Sequence, residues 1–345
     1  MFFQLMTSTN FFLNILSIAT RRFNPKPYLK LINLNVSPMN KTKQIAGAMS
    51  LLLMALACQN EEATQNLIPI DDSPIFMELQ RNNSSGRVAS ESKYAVLSAE
   101  YLTSQESGQV GRTIYFMNVG NKQLSADFVP GLSLDGTDDV SFYVDQNRPS
   151  ADLSAAQTTG AIARAMQTWN GVVCSDLGMY EVPFNSAIST GFVSLILGFG
   201  GSSDYTADVV HAGWQPAAFF DAVAPGGSAF ILGVTYTIIF TDDAGNPTDL
   251  DNNKKADVAW REIYYNDAFT WRIGNHYDVE TIALHEAGHG LSQAHFGKAF
   301  SDGGSGKLHF APRAVMNAAY SGIQTSINGS DKAGHCSNWA SWNNN

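Results

Sequence analysis

Residues 285–289 read His-Glu-Ala-Gly-His. On a helix, positions four apart lie just over one turn from each other, so His285 and His289 project from one face and can share one metal ion. Glu286, beside the first of them, can take a proton from a water held on that ion. A third imidazole, His295, follows six residues after His289 and reaches the same ion only if the helix ends near residues 290–292 and the chain turns back. Three neutral nitrogens with one open position are a ligand set of catalytic zinc, which lowers the pKa of bound water to about 7. The plainer alternative is a set of helix histidines paired with Glu286. Glu286 is the last glutamate of the chain, which excludes a downstream glutamate as third ligand. Of the downstream aspartates weighed for that role, Asp302 and Asp331, Asp302 stays open. His211, His276, His309 and His335 have no ligand spacing and read as ordinary residues.

The run HEAGHGLSQAH resembles the H-E-x-x-H-x-x-G-x-x-H of the metzincin zinc endopeptidases, with Ser292 where that pattern has glycine. Glycine permits a sharp left-handed turn; here either Ser292 adopts that backbone at a cost or Gly290 makes the turn instead. Residues 314–320 (AVMNAAY) are similar to the methionine turn that lies below the metal in this family, with Ala318 in place of the usual proline. The resemblance implies Met316 as the turn methionine and, as in matrixins, Tyr320 as a wall of the S1′ pocket. Residues 158–175 resemble the first helix of bacterial matrixin-like proteases, 256–271 their substrate-side edge strand and 331–342 their C-terminal helix. It implies an α+β domain in α/β layers: a twisted mixed sheet with an edge strand, an active-site helix, a Met-turn and a C-terminal helix. In that domain Glu286 is the general base, and Ile263, Tyr264 and Tyr265 pair with an extended protein or peptide substrate. A different class stays open: a surface lipoprotein that binds ligands, keeps a zinc site and does not cut peptides. Glu286 speaks against it, because a structural metal site needs no base.

The elements that must position these residues are legible in outline. Asp278 is a good N-cap for the helix bearing the histidines, and Glu280 suits its positive end. Residues 158–172 form an amphipathic helix with Ile162, Ala165, Met166 and Trp169 on one face. Strand patterns fall at 113–118, 140–144, 207–214, 230–241 and 260–266, separated by Gly- and Pro-rich loops. Residues 58–109 are rich in Ser, Asn, Gln and Glu and read as a polar tether with one short strand at 94–97. The catalytic domain is accordingly expected over 110–345.

Asp249, Asp251, Asn253 and Asp257 place oxygen ligands at alternating positions, as in a calcium loop, although the central glycine and terminal glutamate are missing. Calcium is thus a second cofactor candidate, against an ordinary Asn/Asp turn.

Residues 39–57 have a basic start (Lys41, Lys43) and a short apolar stretch, the pattern of a secretory signal. Its end at Ala57-Cys58 resembles a bacterial lipobox, which implies lipid on Cys58; ordinary cleavage is the alternative. Residues 1–38 precede this signal and read as an extension from a start codon placed too early, or else as a poorly defined anchor. The expected location is outside the cytoplasm, as an outer-membrane lipoprotein, cell-surface exposed or extracellular, with a lipid anchor as the only membrane contact. With Cys58 lipidated, Cys174 and Cys336 remain, and pairing parity in an exported protein suggests a disulfide; two buried thiols are the alternative.

The net charge is −10, yet residues 1–57 hold six of the 21 basic residues and none of the 31 acids, so 15 basic residues face 31 acids in the remainder. Such a surface does not neutralise phosphates, which excludes nucleic acid as a partner class.

Overall fold

Helix α1 (Ala155–Asn170) shows how local sequence signals assemble the fold. Ser154 caps it in a reciprocal box with Gln157, which moves its start three residues ahead of the expected one. Its buried stripe is Thr158, Ala161, Ile162, Ala165, Met166 and Trp169, the spacing of one helix face. That stripe packs on α4 (Val279–Gly290), where the Trp169 indole N–H donates to the Leu284 carbonyl at 2.9 Å. A computed structural model describes residues 67–79, 93–118 and 125–342. The upstream extension, the signal segment and Cys58 lie outside these residues.

The described chain is α+β with a mixed sheet and five helices. In the main sheet the strand order is β2 (Ile75–Phe76), β4 (Thr113–Tyr115), β3 (Tyr94–Thr103), β9 (Ile231–Phe240), β10 (Ala256–Asn266), β8 (Val209–Gln215), β6 (Val140–Val144) and β7 (Met179–Val182), with β5 (Ala126–Asp127) beside the start of β10. Strands β7, β6, β8 and β10 run parallel; β9 is antiparallel to β10, and β3 to β9. A small antiparallel sheet joins β1 (Leu67–Pro69), β11 (Lys298–Asp302) and β12 (Leu308–Ala311).

Both faces of the main sheet are covered. Helices α1 and α4 cover one, with Trp169, Ile263, Tyr265, Ile282 and Met316 in the core between. Short helices α2 (Phe192–Leu197) and α3 (Ala217–Val223) cover the other, with Phe192 of α2 against Trp260 and Phe219 of α3 against Tyr236 and Tyr264. The buried Glu262 carboxylate meets the first α2 amides, Phe192 at 2.7 Å and Val193 at 3.0 Å, so its charge sits on a helix N-terminus.

Two expectations are corrected. Ile263, Tyr264 and Tyr265 do not form an edge: β10 is bonded to β9 on one side and β8 on the other, and all three side chains are fully buried. Lying between two strands, they do not offer a substrate an open strand edge. An apolar run marks burial, but burial on both faces also suits an interior strand. Within residues 58–109, β3 is a ten-residue interior strand where a short one was expected at 94–97. Its polar residues Ser98 and Glu100 disguised it; both line a pocket that opens to the surface.

Cys174 and Cys336 are joined, with Cα atoms 5.8 Å apart, tying the segment after α1 to α5 (Gly329–Trp339). Closing a loop of 162 residues stabilises by at most about 5 kcal/mol in the chain-entropy model. Alkylation of the folded, unreduced protein is expected to label neither cysteine. Labelling of both would show that the bond does not form.

Candidate metal centre

Asp278 caps α4, its carboxylate accepting from the Thr281 amide at 2.9 Å and hydroxyl at 2.7 Å. One turn apart on this helix, His285 and His289 each spend Nδ1 on a backbone carbonyl: Val315 and Gln293, both at 2.7 Å. A carbonyl only accepts, so both Nδ1 atoms carry the proton and both Nε2 atoms present lone pairs. The chain then leaves the helix through Ser292, at φ +63°, and not through Gly290, which stays helical against Val209 and Ile263. Ser292 thus takes the left-handed turn itself. That turn brings His295 back, with Nε2 3.2 Å from His289 Nε2, which is 3.1 Å from His285 Nε2.

The donor set fits a metal. Two unprotonated nitrogens facing each other repel unless a cation lies between them. Their spacing is near the roughly 3.3 Å between nitrogens held about 2.0–2.1 Å from a tetrahedral zinc. Among the described residues these three histidines are the group of His, Cys, Asp or Glu side chains placed to hold an ion. Burial pushes His285 down to about 4; burial and the neighbouring imidazoles hold His289 and His295 well below the ordinary range. All three are therefore neutral at neutral pH, the form in which an imidazole can hold a metal.

A turn at residues 314–317 packs against this set. Gly288 faces Met316: a Cβ there would lie 2.3 Å from Met316 Sδ, so only glycine lets the methionine sit under the helix. The Val315 carbonyl orients His285, and the Val315 and Met316 amides donate to the Asp331 carboxylate at 3.1 and 3.2 Å. Asp331 therefore braces the turn and is not a ligand. Asp302 bonds its own hairpin, at the Gly304 amide and the Ser305 hydroxyl, and lies outside the histidine group. Both aspartate alternatives fall. Asp331 had a legible signal, as the partner of Asn328 in the capping box of α5.

Glu286 is fully buried. Oε2 accepts from the Thr235 hydroxyl at 2.6 Å, while Oε1 has no hydrogen-bond partner. Burial pushes its pKa up to about 8; the Thr235 hydroxyl and Leu102 amide oppose this, and the Glu100 carboxylate adds to it. Across Glu286 lies Gly233 of β9, where a Cβ would come within 2.8 Å of Oε1.

Strand β3 runs directly over this site. It pairs antiparallel with β9 along its length, and Thr103 pairs parallel with Ala319. The Tyr320 amide donates to the Thr103 carbonyl at 2.8 Å. Leu102 lines a small pocket with His285, Val315, Ala319 and Tyr320, leaving about 10 Å³. Glu100 Oε2 reaches within 3.5 Å of His289 Nδ1, and burial pushes Glu100 up to about 7 against the pull of Arg261. Beyond His295 a polar cavity of about 410 Å³ is lined by Ser98, Glu100, Tyr115, Arg261 and Gln293.

The calcium quartet does not converge. Asp249 accepts from the Lys254 amide, Asp251 from Asn253, and Asp257 from the Leu250 amide, at 2.8–3.2 Å. Asn252 and Lys254 take left-handed backbone. Asp251 and Asn253 make Asx turns to the amides two residues on, and the other oxygens also serve backbone amides, as in the ordinary-turn alternative. Compared with known proteins, the chain matches no family model and no curated protein.

Proposed function

We propose that this chain is a zinc-dependent endopeptidase of the matrixin-like metzincin type, held closed by its own β3. One observation carries the reading: the path an extended peptide would take past the three histidines and Glu286 is already occupied by an extended peptide. It pairs with β9 on one side; on the other, Ser98–Glu100 pair with β4 and Thr103 meets Ala319 and Tyr320. His285, His289 and His295 would hold the zinc, which when bound polarises the scissile carbonyl and acidifies a water. Glu286 takes that proton and returns it to the leaving amine. The β9 edge and the Tyr320 amide, which now serve β3, would align the substrate backbone, and Tyr320 would wall the pocket for the residue after the cut. Met316 and Asp331 keep the ligands in place. Membrane attachment in this reading is through lipid on Cys58 at the outer membrane. Among the described residues no helix is long and apolar enough to cross a membrane.

The filled cleft also favours the second reading, an exported binding lipoprotein whose zinc site does no proteolysis. Cutting the chain after β3 separates the two. The loop at Gln105–Ser107 and Gly108 is partly exposed and accepts a recognition site for a specific protease. Cutting there removes the effective concentration, on the order of millimolar, that tethering gives the strand. The zinc-loaded protein, once cut, is expected to hydrolyse casein at least roughly tenfold faster than before, with the gain lost on chelation. A cut, folded, zinc-loaded protein that releases β3 and still hydrolyses nothing would establish the binding reading instead.

A further inference from the structure

Arg261 is a cation in the interior, on β10, with 2% of its surface exposed. Its guanidinium lies over the Phe128 ring at 5.5 Å and feels the Glu100 and Asp127 carboxylates. A buried arginine is costly unless its donors are spent on something. Two are: Nη1 donates to the His289 carbonyl and Nη2 to the Ser292 hydroxyl, the latter at 3.0 Å. These acceptors are the second metal ligand and the residue in left-handed backbone. A Cβ disfavours that backbone, and glycine tolerates it freely.

The turn so held has two outputs. The Gln293 carbonyl, one residue on, accepts the His289 Nδ1 proton and thereby aims Nε2; His295 follows two residues later. From the opposite side Asn338 donates to the Ser292 carbonyl at 2.8 Å.

We propose that Arg261 is a positioning residue for the metal. Its guanidinium and the Ser292 hydroxyl act as one unit that does the work of a glycine in the turn delivering His295. Metal affinity then depends on the pair: without Arg261 the serine turn relaxes, and a glycine at 292 makes Arg261 dispensable. This rests on the metal reading of the three histidines.

The test is a double-mutant cycle on the whole protein, R261M, S292G and R261M/S292G, with zinc affinity read by competition with a chromogenic chelator. R261M is expected to weaken zinc at least roughly tenfold, the scale of a lost supporting partner. Adding S292G to R261M should recover most of that loss, which a merely stabilising arginine would not produce. R261K, which keeps the charge but cannot bridge both acceptors, should behave as R261M does and carries the test if R261M does not fold. Wild-type affinity in a folded arginine variant, or losses that simply add in the double variant, would overturn the inference. A wild-type protein that binds no zinc would instead overturn the metal reading beneath it.

Discussion

Glu286→Gln will leave zinc in place and remove turnover. Glutamine keeps the length and the helix propensity of the side chain, and residue 286 is not among the three nitrogens that would hold the ion. Gly233 leaves just enough room for the terminal group, and the Thr235 hydroxyl can still bond to the amide oxygen. What disappears is the ability to accept a proton. In the protein cut after β3, where the site is open, hydrolysis is expected to fall by at least roughly 10²-fold, the scale for a lost general base. Zinc content measured on the same sample should equal that of wild type. A zinc-loaded, folded Glu286→Gln protein with full activity would falsify Glu286 as the base.

His295→Ala is the second large effect. The variant keeps the helix and the i, i+4 pair but leaves two nitrogens in place of three. Neither aspartate alternative can substitute, because Asp302 is spent on Gly304 and Ser305 and Asp331 on the Val315 and Met316 amides. Zinc affinity should fall by more than the roughly 10–100-fold that a lost supporting partner costs. Metal content after dialysis decides it, and full retention would show that the third ligand is some other group.

The candidate site was legible where local spacing does the placing. Positions 285 and 289 share a helix face by periodicity alone, Asp278 announces the start of that helix, and Ile162, Ala165, Met166 and Trp169 announce the face it packs on. What escaped depends on pairing between distant strands. Ala99 lies beside Tyr236, and nothing local to either residue records the other. Ile263, Tyr264 and Tyr265 are as apolar in an interior strand as on a covered edge, so the run itself did not distinguish them. Arg261 and Glu100 look like surface charges in a list of residues, and only the fold shows that they face the turn and the ligands. The four oxygen-bearing positions after residue 248 had the spacing of a metal loop, yet spacing does not say whether an oxygen points at an ion or at its own backbone.

Helix α5 imposes an order of events. The histidines lie on residues 285–295, yet the scaffold around them is finished by later ones: Asp331 on the methionine turn, Asn338 on Ser292, and the Trp339 indole on the Leu291 carbonyl at 2.9 Å. A chain that emerges N-terminus first presents every ligand before it can present these braces. On the metal reading proposed above, tight capture therefore comes late, after residues 331–339 have docked and Cys336 has met Cys174. On that reading the ion would serve as a check on the finished fold, since a chain stopped short of Asp331 carries all three histidines and lacks the frame that holds them together.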